Sequence, residues 1–168
     1  MTGAPATTQP RGKVLAADEF ARTLPAGARL LGLDVGTKTV GLALSDVTRT
    51  IASGLTTLAR AKFAADARRL LDIAQEHGVG GLVIGLPISL DGSEGPRAQA
   101  TRAFTRNLAK LTPLPMLLWD ERLTTAAAER SLLEADISRR RRSQVIDKVA
   151  ATLILQSALD RLKLFDRA

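Results

Sequence analysis

The chain is poor in the residue types that build several common kinds of functional site. It contains no cysteine and a single histidine, which excludes a disulfide framework, a thiolate metal site and a multi-histidine zinc site. Any bound metal must therefore lie on carboxylates. Aromatic residues make up only 3% of the sequence, so it offers no platform for stacking bases like that of single-strand binding proteins.

Long hydrophobic runs are also missing. No apolar run approaches the roughly 20 residues that a membrane span requires. The N-terminus has no continuous apolar segment of the kind found in signal peptides. We therefore expect a cytoplasmic protein.

The length and the N-terminal composition predict one domain preceded by an extension. A chain of 168 residues is long enough for one well-buried core but short for two. Residues 1–13 are small, polar and proline-bearing, although residues 16–24 could form a short helix before a turn at Pro25. We expect a flexible N-terminal extension over residues 1–28 and the functional domain over residues 29–168.

Positive charge predominates in the composition. Lysine and arginine total 24 against 17 acidic residues, which gives a formal net charge of +7. This balance favours a polyanionic partner. Nucleic acid is the commonest such partner, although an acidic membrane surface or an acidic protein would satisfy the same electrostatics.

The hydrophobic periodicity predicts an α/β fold with a mixed five-stranded sheet flanked by helices. The first strands form antiparallel hairpins, and the two later strands are each reached through a helical crossover, which makes them parallel to an earlier strand. The last helix is apolar on most of its circumference, so we expect it to pack inside the fold. The predicted strands cover residues 31–35, 40–44, 51–58, 81–87 and 114–119, and the predicted helices cover residues 61–77, 96–111, 124–135 and 143–162.

Asp34 lies in the middle of an otherwise apolar strand. The face of the first hairpin that carries it has no bulky side chain, because its other members are glycine, alanine or serine. A buried carboxylate is costly without donors, a cation or water beside it. The missing bulk allows close approach of a phosphate, a metal ion or another backbone. The plainer alternative is that Asp34 accepts backbone N–H groups from the turn over residues 36–39.

Other acidic residues share this kind of placement. Asp120 and Glu121 follow an apolar strand, at the sheet edge where ligand sites of α/β proteins collect. Asp147 lies on the last helix, and the residues one and two turns further on are small or apolar. Each has an ordinary alternative, which is a surface ion pair with Arg122 for Glu121 and a favourable first-turn position for Asp147.

Taken together, these carboxylates indicate a metal site in a basic protein. Clustered carboxylates suit the hard cations Mg²⁺ and Mn²⁺. Two such ions can activate water and stabilise the leaving oxygen in phosphodiester hydrolysis, so that no side-chain nucleophile is required.

Four motifs carry a resemblance to a known family. The segments LGLDVGTKTVGLALSD, LVIGLPISLDGSEG, WDERLTTAAAERSL and VIDKVAATLILQ resemble, in order and spacing, the YqgF family of bacterial ribonuclease-H-like proteins over residues 30–162. The resemblance implies a ribonuclease-H-like fold and assigns Asp34, Glu121 and Asp147 as catalytic metal ligands. The chain departs from related proteins in having Lys148 after the third aspartate and Ala150 where related resolvases carry a further carboxylate.

The resemblance also implies a function. Members of the family are described as pre-16S rRNA nucleases and, by analogy, as Holliday junction resolvases. We therefore predict a two-metal-ion endonuclease, dependent on Mg²⁺ or Mn²⁺, that processes the 5′ end of pre-16S rRNA in ribosome biogenesis. The alternatives are a resolvase acting on branched DNA and a non-catalytic RNA-binding assembly factor. The segment DVGTKT also resembles the phosphate-contacting hairpin of actin-like ATPases, but those proteins need two such domains, for which this chain is too short.

Several basic residues are predicted to contact the nucleic acid. The run Arg139, Arg140, Arg141 and Arg142 leads into the helix that bears Asp147, which favours phosphate contacts over a solvated surface loop. Lys38 and Arg122 each lie near a predicted metal ligand and are predicted to touch the scissile strand. The glycine-containing loop over residues 89–95 is predicted to border the site.

Overall fold

The protein folds as a five-stranded sheet with helices on both faces. A computed structural model describes residues 11–124 and 139–166, with the backbone alone for residues 139–148. The strands are β1 (Arg29–Val35), β2 (Thr39–Ser45), β3 (Ala52–Ala59), β4 (Val79–Leu86) and β5 (Met116–Asp120). The helices are α1 (Ala17–Thr23), α2 (Phe63–Glu76), α3 (Pro96–Ala109) and α4 (Arg139–Leu162), with a 3₁₀ turn over Glu121–Leu123.

The order of the strands is β3-β2-β1-β4-β5. β2 is antiparallel to both β1 and β3, whereas β4 is parallel to β1 and β5 is parallel to β4. The predicted mixed sheet is therefore confirmed, because the hairpin-connected strands alternate in direction and the two strands that follow helical crossovers do not. The helix predicted over residues 124–135 lies outside the described residues.

The alternation of side chains along β1 assigns each face of the sheet to one helical layer. Leu31, Leu33 and Val35 pack in a cluster with residues of α2 and α3. On the opposite face, Leu30 belongs to a second cluster that includes α4 and Phe20 of α1. Asp34 follows the parity of Leu30 and therefore belongs to the α4 face.

The last helix differs from its prediction in two respects. Its described part extends to Arg139, so the arginine run, which precedes the predicted start at Ser143, is helical. It also buries one face only: Ile154 and Leu155 are buried, whereas Asp160 and Arg161 are exposed. Gln156 is half-buried and bonds to the margin of the sheet, where it accepts the Ala52 N–H at 2.9 Å and donates to the Thr50 carbonyl at 3.0 Å. Neither this 24-residue helix nor another helix of the described ranges is long and apolar enough to cross a membrane.

Helix α4 approaches the sheet closely at Gly32. A Cβ atom at that position would lie 2.7 Å from the Cβ of Leu155 and 3.1 Å from the carbonyl oxygen of Ala151. The small-residue face of the first hairpin therefore admits another backbone at this point, one of the three occupants that the sequence left open.

We expect Gly32→Ala to destabilise the protein by about 1–3 kcal/mol. The added methyl group meets a Cβ and a backbone carbonyl, which move only with the helix, so the packing of α4 must loosen. Urea unfolding measures the loss. Gly95→Ala is the matched control, because a Cβ atom at Gly95 would meet nothing within 4 Å and its φ of −80° is ordinary. Equal stability of the two variants would contradict the close approach.

Part of the predicted N-terminal extension contacts the domain. The N–H of Leu15 donates to the Met116 carbonyl at 2.8 Å, and the N–H of Met116 donates to the Lys13 carbonyl at 2.9 Å. Phe20 is fully buried in the α4-side cluster. Residues 12–24 of the predicted extension therefore contact the domain through backbone hydrogen bonds and a buried side chain. The segment is held against the domain by backbone hydrogen bonds to the edge strand β5 and by the burial of Phe20.

Candidate active site at the carboxyl edge of the sheet

The predicted site residues converge on the edge where the parallel strands end. Asp34 is the next-to-last residue of β1, and Glu121 directly follows β5. Between these strands runs β4, whose Ile84 pairs with Leu33 of β1, so that the next pair places Gly85 beside Asp34. The register thus brings two acidic residues that are distant in sequence to either side of one glycine.

Gly85 makes room for the Glu121 carboxylate. A Cβ atom at Gly85 would lie 2.6 Å from Glu121 Oε1 and would also meet the side chain of Ile154. Glu121 therefore reaches back over β4 on the α4 face of the sheet, the face to which Asp34 also belongs. Both acidic residues are half-buried. The two acidic residues therefore lie at the same edge of the sheet and on the face that α4 covers.

The direction of α4 places Asp147 toward the same edge. The C-terminal half of α4 lies at the opposite end of the sheet, where the Ala52 N–H donates to the Gln156 side chain at 2.9 Å. Ala52 pairs with Ser45, the residue that also accepts the N–H of Leu30 at the start of β1. The N-terminal half therefore extends along β1 toward its carboxyl end.

Asp147 precedes Ala151 by one helical turn and Ile154 by two, so its backbone lies on the helix face that these two buried residues turn to the sheet. Its side chain lies outside those described. Among the side chains that are described, no three acidic, histidine or cysteine residues form a group suited to a metal ion.

The donor set nevertheless fits a hard divalent cation. Asp34 and Glu121 offer only oxygen ligands, which Mg²⁺ and Mn²⁺ prefer. The space that Gly85 leaves open is occupied by a carboxylate oxygen, not by an apolar group alone. Helix α4, which covers this face, carries a third acidic residue in Asp147.

Asp120 is paired with Arg122. Its carboxylate accepts the backbone N–H of Arg122 at 2.9 Å and also binds the guanidinium, with Arg122 Nη2 at 2.7 Å and Nε at 3.0 Å. These hydrogen bonds from Arg122 hold the pKa of Asp120 below its usual range. The sequence left open an ion pair between Glu121 and Arg122. In the structure Arg122 forms an ion pair with Asp120.

The loop over residues 89–95 borders the Arg122 side of the site. Gly92 has a φ of 86°, and a Cβ there would lie 3.7 Å from Arg122 Nη1. Asp91 accepts the N–H of Ser93 at 2.9 Å and its hydroxyl at 2.6 Å, which lower the pKa of Asp91. Glycine is required at Gly92, whereas the φ of −80° at Gly95 is open to other residues.

The predicted nucleic-acid contacts lie at this edge to different degrees. Lys38 is exposed in the turn between β1 and β2, beside the end of β1, and Arg122 is exposed but paired with Asp120. Arg139, Arg140, Arg141 and Arg142 belong to α4, and their side chains lie outside those described.

Two further arginines reach this edge that sequence reasoning missed. Arg60 Nη1 donates to the Gly36 carbonyl at 2.9 Å, and Arg97 Nη2 donates to the Val35 carbonyl at 3.4 Å. The signal for Arg60 was present in the hairpin order, because β3 runs antiparallel to β2 and its end must return to the turn between β1 and β2.

The mixed sheet and its flanking helices have the ribonuclease-H-like fold. The RuvC protein of Thermus thermophilus in complex with a Holliday junction substrate matches with a TM-score of 0.54 and 13% identity, covering 81% of this chain and 96% of that one. The yeast mitochondrial Holliday junction resolvase Ydc2 matches with a TM-score of 0.54 and 8% identity, covering 90% and 86%. At these identities the likeness concerns the fold alone, and it confirms the predicted fold class.

The chain belongs to the family described as "RuvX: Holliday junction resolvase", whose model matches residues 28–161. A protein of Paracoccus denitrificans (strain Pd 1222) is 60% identical over 150 residues, covering 89% of this chain and 95% of the relative. A protein of Rhodobacter capsulatus is 58% identical over 151 residues, covering 90% and 95%. Both are provisionally named pre-16S rRNA nucleases. The resemblance read from the four motifs is confirmed.

Proposed function

We propose that this chain is a metal-dependent endonuclease that hydrolyses phosphodiester bonds of pre-16S rRNA during maturation of its 5′ end. The observation that carries the proposal is the Glu121 carboxylate seated over Gly85 beside Asp34. The names of the similar proteins support the substrate. Because bacterial rRNA matures in the cytoplasm, the proposal includes a cytoplasmic location and pre-rRNA or a pre-ribosomal particle as partner.

Asp34, Glu121 and Asp147 would hold Mg²⁺ or Mn²⁺ in this account. When bound, a pair of such ions activates water and stabilises the leaving oxygen of an in-line displacement. The chain itself contributes the fixed orientation of the carboxylates. Lys38 offsets phosphate charge near the end of β1, and Arg122, bordered by its loop, does so after β5.

A protein nucleophile or histidine base has no place in this account. The only histidine of the sequence is His77, the residue that ends α2. Its carbonyl accepts Arg29 Nη1 at 3.5 Å, where β1 begins, whereas Asp34 lies near the end of that strand. His77 is therefore at the wrong end of the sheet to take a proton at the site.

Cleavage of branched DNA is the second candidate, which the description of the family favours. We expect one preparation, supplied with Mg²⁺ or Mn²⁺, to cut a pre-16S 5′-end RNA in preference to a four-way DNA junction. Asp34→Asn, purified in parallel, controls for contaminating nucleases. Cleavage of the junction alone would show that the substrate is branched DNA and not pre-16S RNA. Binding of the RNA without cleavage of either substrate would show that the protein is a non-catalytic assembly factor.

The arginine run gives a separate prediction about binding. We expect replacement of Arg139, Arg140, Arg141 and Arg142 by glutamine to lower the slope of log affinity against log salt by up to about 3, because each lost phosphate contact accounts for about 0.7–0.9. Metal affinity should not change. Filter binding of the RNA at several salt concentrations measures the slope, and an unchanged slope would assign these arginines to solvent or to another partner.

A further inference from the structure

A basic recess lies at the carboxyl edge of the sheet, on the opposite face of β1 from Asp34. It is a concave cavity of about 50 Å³ at the turn between β1 and β2. Two of its lining residues, Arg60 and Arg97, are charged, and none is acidic. The lining residues are Val35, Gly36, Thr37, Arg60, Arg97, Ala100 and Thr101.

The guanidinium of Arg60 is held in a fixed position. Beside its hydrogen bond to the Gly36 carbonyl, its Nε lies 3.5 Å from Asp66 Oδ2, and its Cζ lies 5.5 Å from the centre of the Phe104 ring. The Arg60 side chain keeps 28% of its surface exposed. A planar cation fixed on several sides needs little further ordering to receive an anion, which favours a binding role over a solvated surface charge.

Asp66 forms an ion pair with Arg60 but does not line the cavity. Burial would raise the pKa of Asp66, but the N–H of Ala61 at 2.9 Å and Arg69 Nη2 at 2.9 Å more than offset it, so the pKa lies below its usual range. The aspartate therefore stays ionised at neutral pH. Because Arg69 shares its charge, Asp66 does not cancel the positive charge that Arg60 presents.

The recess lies close to Asp34 along the chain. Gly36, whose carbonyl accepts Arg60 Nη1, follows Asp34 by two residues, which is about 7 Å of backbone in an extended chain. Asp34 belongs to the α4 face, whereas Arg97 and Thr101 belong to α3 on the other face. A strand that crosses the edge at the turn would therefore meet the carboxylates first and the two arginines next.

We infer that the recess formed by Arg60, Arg97 and Thr37 binds a backbone phosphate of the substrate strand adjacent to the phosphate that is cleaved. The inference rests on the proposed function for the identity of the ligand. Arg60 supplies a fixed planar donor set, and Arg97, which is more exposed, completes the pair when the strand is present. The recess thereby fixes where along the strand the scissile bond lies.

Arg97→Gln tests the recess with little risk to the fold, since Arg97 is exposed and makes one long hydrogen bond of 3.4 Å. We expect the slope of log affinity against log salt for the pre-16S RNA to fall by about 0.7–0.9. Arg106→Gln is the matched control, because it removes the same charge from an exposed position of the same helix. Equal slopes for wild type and Arg97→Gln would overturn the inference.

Single neutral methylphosphonates in the RNA locate the contact. Neutralising one phosphate adjacent to the cut should lower the affinity of wild type. The same substitution in the RNA should cost Arg97→Gln less affinity, because that variant has already lost the contact, and it should cost Arg106→Gln as much as wild type. The same loss in all three proteins would remove the recess from the site. If wild type binds and shows the interference but does not cleave, the nuclease proposal fails and the recess stands. If wild type cleaves without the interference, only the recess fails, and absence of RNA binding removes both.

Discussion

Asp34→Asn is expected to lower the rate of RNA cleavage by about 1,000-fold, since loss of a ligand charge removes several kcal/mol of transition-state stabilisation at a metal site. Asparagine keeps the shape of the side chain, so melting should remain cooperative and RNA binding should persist. Asp34 lies on β1 and Asp147 on α4, and we propose the same role for both. Asp147→Asn should therefore show the same loss.

The control for this prediction lies on the same edge. Asp120→Asn makes the identical substitution at a carboxylate that is already bound to Arg122, and we expect it to change cleavage by less than about tenfold. Single-turnover cleavage by the variants, with melting curves alongside, measures the difference. Full activity of Asp34→Asn or Asp147→Asn would remove that residue from the catalytic set, and equal losses at Asp120 and Asp34 would contradict the division of roles.

Gly85→Ala is expected to lower cleavage by about 100-fold with only a modest loss of stability. The added methyl group would clash with Ile154 Cδ1 and lie 2.6 Å from Glu121 Oε1, so both side chains, including the carboxylate, must shift. The atoms in its way are the ends of flexible side chains, unlike the backbone carbonyl beside Gly32. The fold should therefore tolerate the change better than the site does.

Gly95→Ala again provides the reference, because it adds the same methyl group in open space. Cleavage rates and urea midpoints of both variants decide the matter. If Gly85→Ala cleaves as fast as Gly95→Ala, cleavage does not depend on the position of the Glu121 carboxylate beside Gly85. If its activity falls only in proportion to a loss of folded protein, the effect belongs to packing and not to the carboxylate.

The strands could be predicted from the sequence because their signals are local. Alternation in the first hairpin and the apolar runs around Val83 and Leu117 specify elements whose order the crossover rule then restricts. The acidic residues were recognisable for the same reason. A charge inside a strand, as at Asp34, or directly after one, as at Glu121, conflicts with the pattern around it, and such conflicts tend to mark functional positions.

Other features depend on contacts between distant segments, which local patterns do not specify. A face of small residues predicts that another group approaches the strand closely, but not which group. At Gly32 this group is the backbone of α4, and at Gly85 it includes the Glu121 carboxylate. Burial of Phe20 against α4 is a tertiary contact as well. Arg60 follows β3 and Arg97 lies in the first turn of α3, and only the folded sheet brings both to the turn after β1.

The most direct test of the central claim is cleavage of the pre-16S 5′-end RNA by wild-type protein that has been stripped with EDTA and then supplied with Mg²⁺ or Mn²⁺. If Asp34, Glu121 and Asp147 hold the ions that activate water, the stripped protein will bind the RNA without cutting it, and either metal will restore cleavage in wild type but not in Asp34→Asn. Undiminished cleavage by wild type in EDTA would contradict the account.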